Sequence, residues 1–344
     1  MNHISLDRQK AYLVTGTAGF IGFYLAKRLL DEGCMVVGID NMNDYYDTGL
    51  KQARLNLLIP YERFRFVRGG IENKELVFKL FKEYGFDIVI NLAAQAGVRY
   101  SVHHPDVYIQ SNIVGFFNII EACRHYRTEH LVYASSSSVY GANKKIPFEE
   151  IDAADTPVSL YAATKKADEL MAYAYSHLYG IPSTGLRFFT VYGPFGRPDM
   201  SYFQFTDKYF RNEPIRVFNN GDLTNDLYRD FTYVDDIIEG MARIIANPPS
   251  KTGDEAAHRV FNIGSSSPVK LMDFINTLEW ALSKVLGRPV EFERIYEPLK
   301  PGDVRATYAS SRLLQDATGY RPSTLLKDGL LKFAEWYKSY YNVC

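Results

Sequence analysis

The sequence is poor in cysteine. Its three, Cys34, Cys123 and Cys344, show no CxxC or other metal-ligand spacing. That excludes a disulfide-stapled scaffold and a cysteine-based metal site, and it suits a reducing compartment. Net charge is nearly missing too, at −1, so the bulk composition offers no attraction to nucleic acid or to an anionic membrane surface. No stretch reaches the roughly 18 apolar residues of a membrane helix. The opening MNHISLDRQK is polar and lacks the apolar centre of a signal peptide. Repeats and low-complexity linkers are absent. The expectation is a cytoplasmic protein with no metal, nucleic-acid or membrane partner.

What is present is an ordinary globular composition, 47% hydrophobic and 23% charged over 344 residues. Apolar, β-rich runs alternate with helical patterns through the first half. AYLVT (11–15), MVVGID (35–40), FRFV (64–67), DIVINLAA (87–94), HLVYASS (130–136) and STGLRFFTVYG (183–193) read as strands. Helical patterns cover 20–33, 72–85, 107–126 and 160–180. Nearly continuous buried strands separated by helices predict an α/β fold, a parallel sheet covered on both faces. After about residue 195 the rhythm breaks into shorter elements punctuated by Gly, Pro, Asn and Asp. We therefore expect residues 1–194 to form mainly one domain. Residues 195–344 should form mainly a smaller, interleaved α/β lobe, with some segments returning to the first.

AYLVT runs directly into GTAGFIG. Gly16, Gly19 and Gly22 sit at a strand-to-helix junction, where glycine permits a tight turn and close approach of a pyrophosphate to the helix N-terminus. Asp40 closes the second strand. A carboxylate there accepts hydrogen bonds from ribose hydroxyls and repels a 2′-phosphate, which favours NAD over NADP. Farther on, Tyr161 and Lys165 stand four apart in YAATK, on one helical face. A lysine beside a tyrosine favours the phenolate electrostatically. A serine from SSSVYG (136–141) aimed at the same spot can hydrogen-bond a substrate hydroxyl. Such a site moves a proton on and off an alcohol.

GxxGxxG together with YxxxK resembles the extended short-chain dehydrogenase/reductase superfamily, over nearly the whole chain. The resemblance implies a Rossmann-type doubly wound sheet. It makes Tyr161 the proton acceptor, Lys165 its partner on the nicotinamide ribose, and Ser136 the hydroxyl that binds the reacting oxygen. It places Phe20, Ile21, Asn41, Ile71, Leu92, Ala93 and Ala94 at a bound, unconsumed NAD, beside the glycines and Asp40, and has Asn112 support the site. In RGGIEN, Gly70 stands where the family usually has an adenine-contacting Asp. Related enzymes that eliminate water or lose carbon dioxide carry acids just before VYG, whereas this chain has Ser137 and Ser138. Hydroxyls are poor general acids near neutral pH. The chemistry should then stop at oxidation and re-reduction, which inverts a carbon.

The second half resembles a nucleotide-sugar lobe. The resemblance implies Val217, Phe218 and Asn219 around the uracil, and Arg229, Lys300 and Asp303 at the diphosphate and ribose of a UDP-sugar. DNMNDYYD (40–47), AAQAGVRYS (93–101) and GLRFFTVYGPFGRPDM (185–200) look like the UDP-glucuronate 4-epimerases. They imply that Arg197 holds the sugar carboxylate, with Thr190 and Ser137 or Ser138 as neutral donors and Arg99 nearby. Arg suits a carboxylate because its planar fork binds two oxygens. Other readings stay open here: epimerisation of UDP-glucose or UDP-N-acetylhexosamines, decarboxylation of UDP-glucuronate, or a catalytically silent nucleotide-sensing scaffold. Apolar residues on several faces of 107–126 and 160–180, and the family's habit, lead us to expect a homodimer through a four-helix interface.

Overall fold

Residue alternation along the strands decides the core. In β1 (Ala11–Thr15), Tyr12 and Val14 point into one apolar layer and Leu13 into the other. The same split separates Val36 from Val37 in β2 (Met35–Asp40), so both sheet faces are buried under helices. The computed structural model describes residues 4–222, 226–298 and 306–344. The remaining strands are β3 (Phe64–Arg68), β4 (Ile88–Asn91), β5 (His130–Ser136), β6 (Ser183–Phe188), β7 (Thr190–Tyr192), β8 (Ile215–Val217), β9 (Tyr228–Tyr233), β10 (His258–Ile263), β11 (Pro268–Lys270), β12 (Arg294–Tyr296) and β13 (Ala306–Thr307).

The large sheet has seven strands in the order β10-β6-β5-β4-β1-β2-β3, and its pairings are all parallel. The doubly wound expectation therefore holds. The order reverses between β1 and β4, and a crevice opens at the carboxyl ends there. The Thr15 hydroxyl braces that point. It donates to Asn91 Oδ1 at 2.7 Å and accepts from the amides of Leu92 and Ala93 at 3.0 and 2.9 Å.

Three local expectations change. The run 183–193 is not one strand: β6 stays in the large sheet, while β7 pairs with β9 in a second sheet that also holds β11 and β13. The Phe189 amide between them turns to Ile263 O at 3.3 Å. The run 107–126 is not a uniform α-helix, because a π-helical turn, Ile109–Val114, separates the helices Pro105–Tyr108 and Gly115–Tyr126. Finally, DNMNDYYD leads into an unanticipated helix, Thr48–Leu58, capped by the Asp47 side chain on the Gly49 amide. Strands β8 and β12 form a separate parallel pair. Among the described residues, no helix is long and apolar enough to cross a membrane.

Candidate active site

The first part of the site is the turn after β1. Gly16 has φ +71, and a Cβ there would press on the Ala93 backbone. A Cβ at Gly22 would strike the Gly16 carbonyl oxygen. Glycine alone keeps this turn tight, and the helix Phe20–Asp31 then begins against the crevice. The second part is Asp40, whose carboxylate accepts from the amides of Ala18 at 3.1 Å and Met42 at 2.8 Å. Its remaining lone pairs can take ribose hydroxyls. Lys51 lies 4.0 Å from Asp40, and burial pushes this ammonium below its usual range despite the pull of Asp40.

The third part follows β4. Asn112, inside the π-helical turn, accepts from the Gln95 amide at 2.8 Å and donates to Thr164 Oγ1 at 3.0 Å. It thereby ties the Leu92–Ala94 stretch to the helix Leu160–Tyr179. That helix starts at Ser159, whose hydroxyl accepts from the Ala162 amide at 3.1 Å. It delivers Tyr161 and Lys165 one turn apart. Lys165 is buried and donates to Ala134 O of β5 at 2.9 Å and to Asp168 at 3.1 Å. The Tyr161 ring meets Tyr108 edge-on at 6.1 Å. Ser136 ends β5, and its oxygen accepts from the Ser138 amide at 3.2 Å. Its own O–H remains a donor.

The fourth part is the turn beyond β7. Arg197 donates through Nε to Asp199 Oδ1 at 2.9 Å and through a terminal nitrogen to Oδ2, which also accepts from the Tyr45 hydroxyl at 3.3 Å. Burial works against the Arg197 cation, but Asp199 outweighs it and raises the guanidinium above its usual range. Asp199 is lowered, the Arg197 charge overcoming its own burial.

These parts enclose one continuous cavity. Gly16, Gly19–Gly22, Asp40, Asn41, Ile71, Leu92–Ala94, Tyr161 and Lys165 all line it, as do Ser136 and Arg197. The row fits NAD: a glycine turn for the pyrophosphate, a carboxylate for the adenosine ribose, and the tyrosine and lysine at the far end. Residues 12–264 match the NAD dependent epimerase/dehydratase family. The chain belongs to that family. UDP-glucuronate 4-epimerase 4 of Arabidopsis thaliana is 47% identical over 337 residues, 96% of this chain and 76% of that one. The crystal structure of UDP-glucuronic acid 4-epimerase from Bacillus cereus, in complex with UDP-glucuronic acid and NAD, is 32% identical with TM-score 0.84, covering 96% of this chain and 100% of that one. UDP-glucose 4-epimerase of Thermotoga maritima, solved with UDP-glucose, is 28% identical with TM-score 0.81, covering 96% and 99%.

Among the described residues, the other expected substrate residues do not line this cavity. Ser137 and Ser138 open the 3-10 turn Ser137–Tyr140. Thr190 begins β7, between the cavity-lining Phe188, Phe189 and Val191. Val217 is buried at the end of β8, and Asn219 is buried with its amide 3.3 Å from Asp226. The Arg99 guanidinium stacks over the Phe218 ring at 5.2 Å, so those two come together. Arg229 lies in β9 and donates to Tyr228 O at 2.8 Å. Lys300 and Asp303 fall outside the described residues.

Several cavity residues escaped the sequence reading, among them Tyr45, Lys51 and Glu72. A Cβ at Gly70 would run into the Glu72 carboxylate, so an acid stands beside the position where an Asp was expected. Arg54 was missed as well. It is fully buried and donates to Ala18 O, at the glycine turn, and to Phe195 O, two residues before Arg197, both at 2.7 Å. A leucine-rich helical pattern at 50, 55 and 58 was the available signal for its helix.

Proposed function

We propose that the protein interconverts UDP-glucuronate and UDP-galacturonate by inverting C4. One observation carries this reading. Arg197 opens into the same cavity as Tyr161, Lys165 and Ser136, while the positions after Ser136 hold hydroxyls instead of acids. Ser136 donates to the C4 oxygen and Tyr161 takes its proton. Lys165 supplies positive charge beside the phenolate. NAD, held by the glycine turn, Asp40 and Lys165, would supply the hydride acceptor and donor for C4, and the opposite configuration results when the sugar has turned between the two transfers. Tyr161 then returns the proton. No reducing equivalent is consumed, and NAD stays bound throughout.

The 4-keto sugar is a β-keto acid and loses carbon dioxide readily unless its carboxylate is restrained. Asp199 occupies the Nε side of Arg197, which leaves the N–H groups of the other edge for a substrate carboxylate. Thr190 and Ser137 or Ser138 are added as neutral donors on sequence grounds, in the segments that flank the cavity-lining Phe189, Val191 and Ser136. Held this way, the breaking C–C bond stays poorly aligned with the carbonyl. The Arg99–Phe218 stack supports a single UDP site assembled from the loop after β4 and the segment after β8, with Val217, Asn219 and Arg229 alongside. Lys300 and Asp303 belong to the same proposal on sequence grounds.

A homodimer belongs to this reading too. Leu170 and Leu178 on the helix carrying Tyr161 are 61% and 66% exposed, and Val107, Ile109 and Phe117 are exposed on the neighbouring helical segments. Sedimentation of the purified protein tests it; a monomer at micromolar concentration rejects it. A cytoplasmic setting is supported by Cys34 and Cys123 as buried free thiols. Tyr161→Phe should abolish turnover and keep UDP-sugar binding. Full activity in that variant would reject the chemistry.

A further inference from the structure

One buried acid has no part in the chemistry above. Asp168 lies one turn beyond Lys165 on the same helix, with its side chain 1% exposed. Its Oδ2 meets the Lys165 ammonium at 3.1 Å, and its Oδ1 is buried with no hydrogen-bond partner. We propose that Asp168 is a positioning residue that holds the Lys165 ammonium and sets the net charge presented to Tyr161. The proposal rests on the roles given above to Tyr161 and Lys165.

A carboxylate oxygen buried without a donor favours the neutral acid. Burial accordingly pushes the Asp168 carboxyl up to about 7, against the opposing pull of Lys165. The acidic neighbour Glu169 pushes the same way. From β5, Tyr133 faces this acid, and its hydroxyl bonds His258 of β10 at 2.9 Å. Arg187 of β6 is taken by Glu169. Tyr140, from the 3-10 turn, bonds Asn262 and Arg187. On the Gly115–Tyr126 helix, Glu121 bonds Tyr175, farther along. Lys165 is thus the cation in direct contact with Asp168.

Two charge states follow. Below neutrality Asp168 is an uncharged acid, and the full Lys165 charge favours the Tyr161 phenolate. Above neutrality the carboxylate and ammonium cancel, and the phenolate loses that support. Asp168 therefore damps the help that Lys165 gives, and it does so where cytoplasmic pH varies.

The test compares Asp168→Asn with wild type in two readouts. One is the pH profile of kcat/KM for UDP-glucuronate epimerisation. The other is the near-ultraviolet absorbance of tyrosinate, titrated in the NAD-loaded protein and corrected with Tyr161→Phe. Removing a charge two helical turns away, roughly 10 Å, should move both midpoints to lower pH by about one unit at an effective dielectric near 20. Asp168→Ala should shift them the same way, and it serves if the Asn variant does not fold. Asp168→Glu should restore the wild-type profile. Unchanged midpoints in folded Asn or Ala variants, with Tyr161→Phe inactive, overturn the role of Asp168 alone. An active Tyr161→Phe, or a tyrosinate signal indifferent to that change, overturns the catalytic reading and this proposal with it.

Discussion

Breaking the ion pair between Glu169 and Arg187 should unfold the site from behind. Glu169 sits one turn beyond Lys165 on the helix Leu160–Tyr179, and Arg187 is in β6. The guanidinium donates to both carboxylate oxygens, at 2.7 and 2.8 Å, and each side chain is 4% exposed. Ser135 of β5 adds a third donor to Glu169 at 2.6 Å. Burial opposes ionisation of Glu169, but the hydrogen bonds from Arg187 win and hold its carboxyl below the usual range. Glu169→Leu leaves the Arg187 charge buried with only Tyr140 and a backbone carbonyl for company. Removing one member of such a pair costs about 3–5 kcal/mol. That is a fifth or more of the roughly 5–15 kcal/mol typical of a folded domain. Replacing both, with Glu169→Leu and Arg187→Met, should recover most of the loss, because no charge is stranded. Urea unfolding of Glu169→Leu, Arg187→Met and the double variant forms a cycle whose coupling should exceed about 2 kcal/mol. Additive single effects below about 1 kcal/mol would refute the clamp. The pair also carries a pH signature: its stabilisation is complete above the ordinary carboxylate range and is lost as pH falls through the lowered Glu169 value.

Other predictions are as specific. Gly22→Val places a side chain on the Gly16 carbonyl and should remove NAD binding while UDP binding persists, both measurable by calorimetry. Arg197→Ala should lower turnover and raise the share of pentose product, and an unchanged product ratio with substrate still bound rejects its restraining role. Glu72→Ala should weaken NAD more than nicotinamide hypoxanthine dinucleotide, which lacks the adenine amine; equal weakening rejects a contact to that amine. His130 and His258 are held by burial at about 3 and about 4, below the ordinary value of 6.5. Both must stay neutral in the fold, so their stabilisation is present above pH 6.5 and declines as pH falls toward 4. Thermal midpoints between those values should drop, less so in His258→Gln.

The sequence was most readable where function depends on local chemistry. AYLVT, MVVGID and HLVYASS are strands with the expected bounds, because runs buried on both faces leave no other reading. The glycine turn and the YAATK spacing belong to single elements, and they located the cavity. What stayed hidden depends on tertiary partners. Arg54 looks like a surface arginine until its helix packs it under the glycine turn. Asp199 looks like a turn residue until Arg197 folds back on it. The break at Phe189 follows from a strand switching sheets, which no local pattern announces.

Proton NMR of UDP-glucuronate with the purified protein, followed at the anomeric and H4 signals with and without added NAD, tests the C4 inversion most directly. The expected product is a galacto-configured uronate at equilibrium with its precursor, formed without added NAD. A pentose as sole product, or turnover of UDP-glucose with UDP-glucuronate untouched, would contradict it.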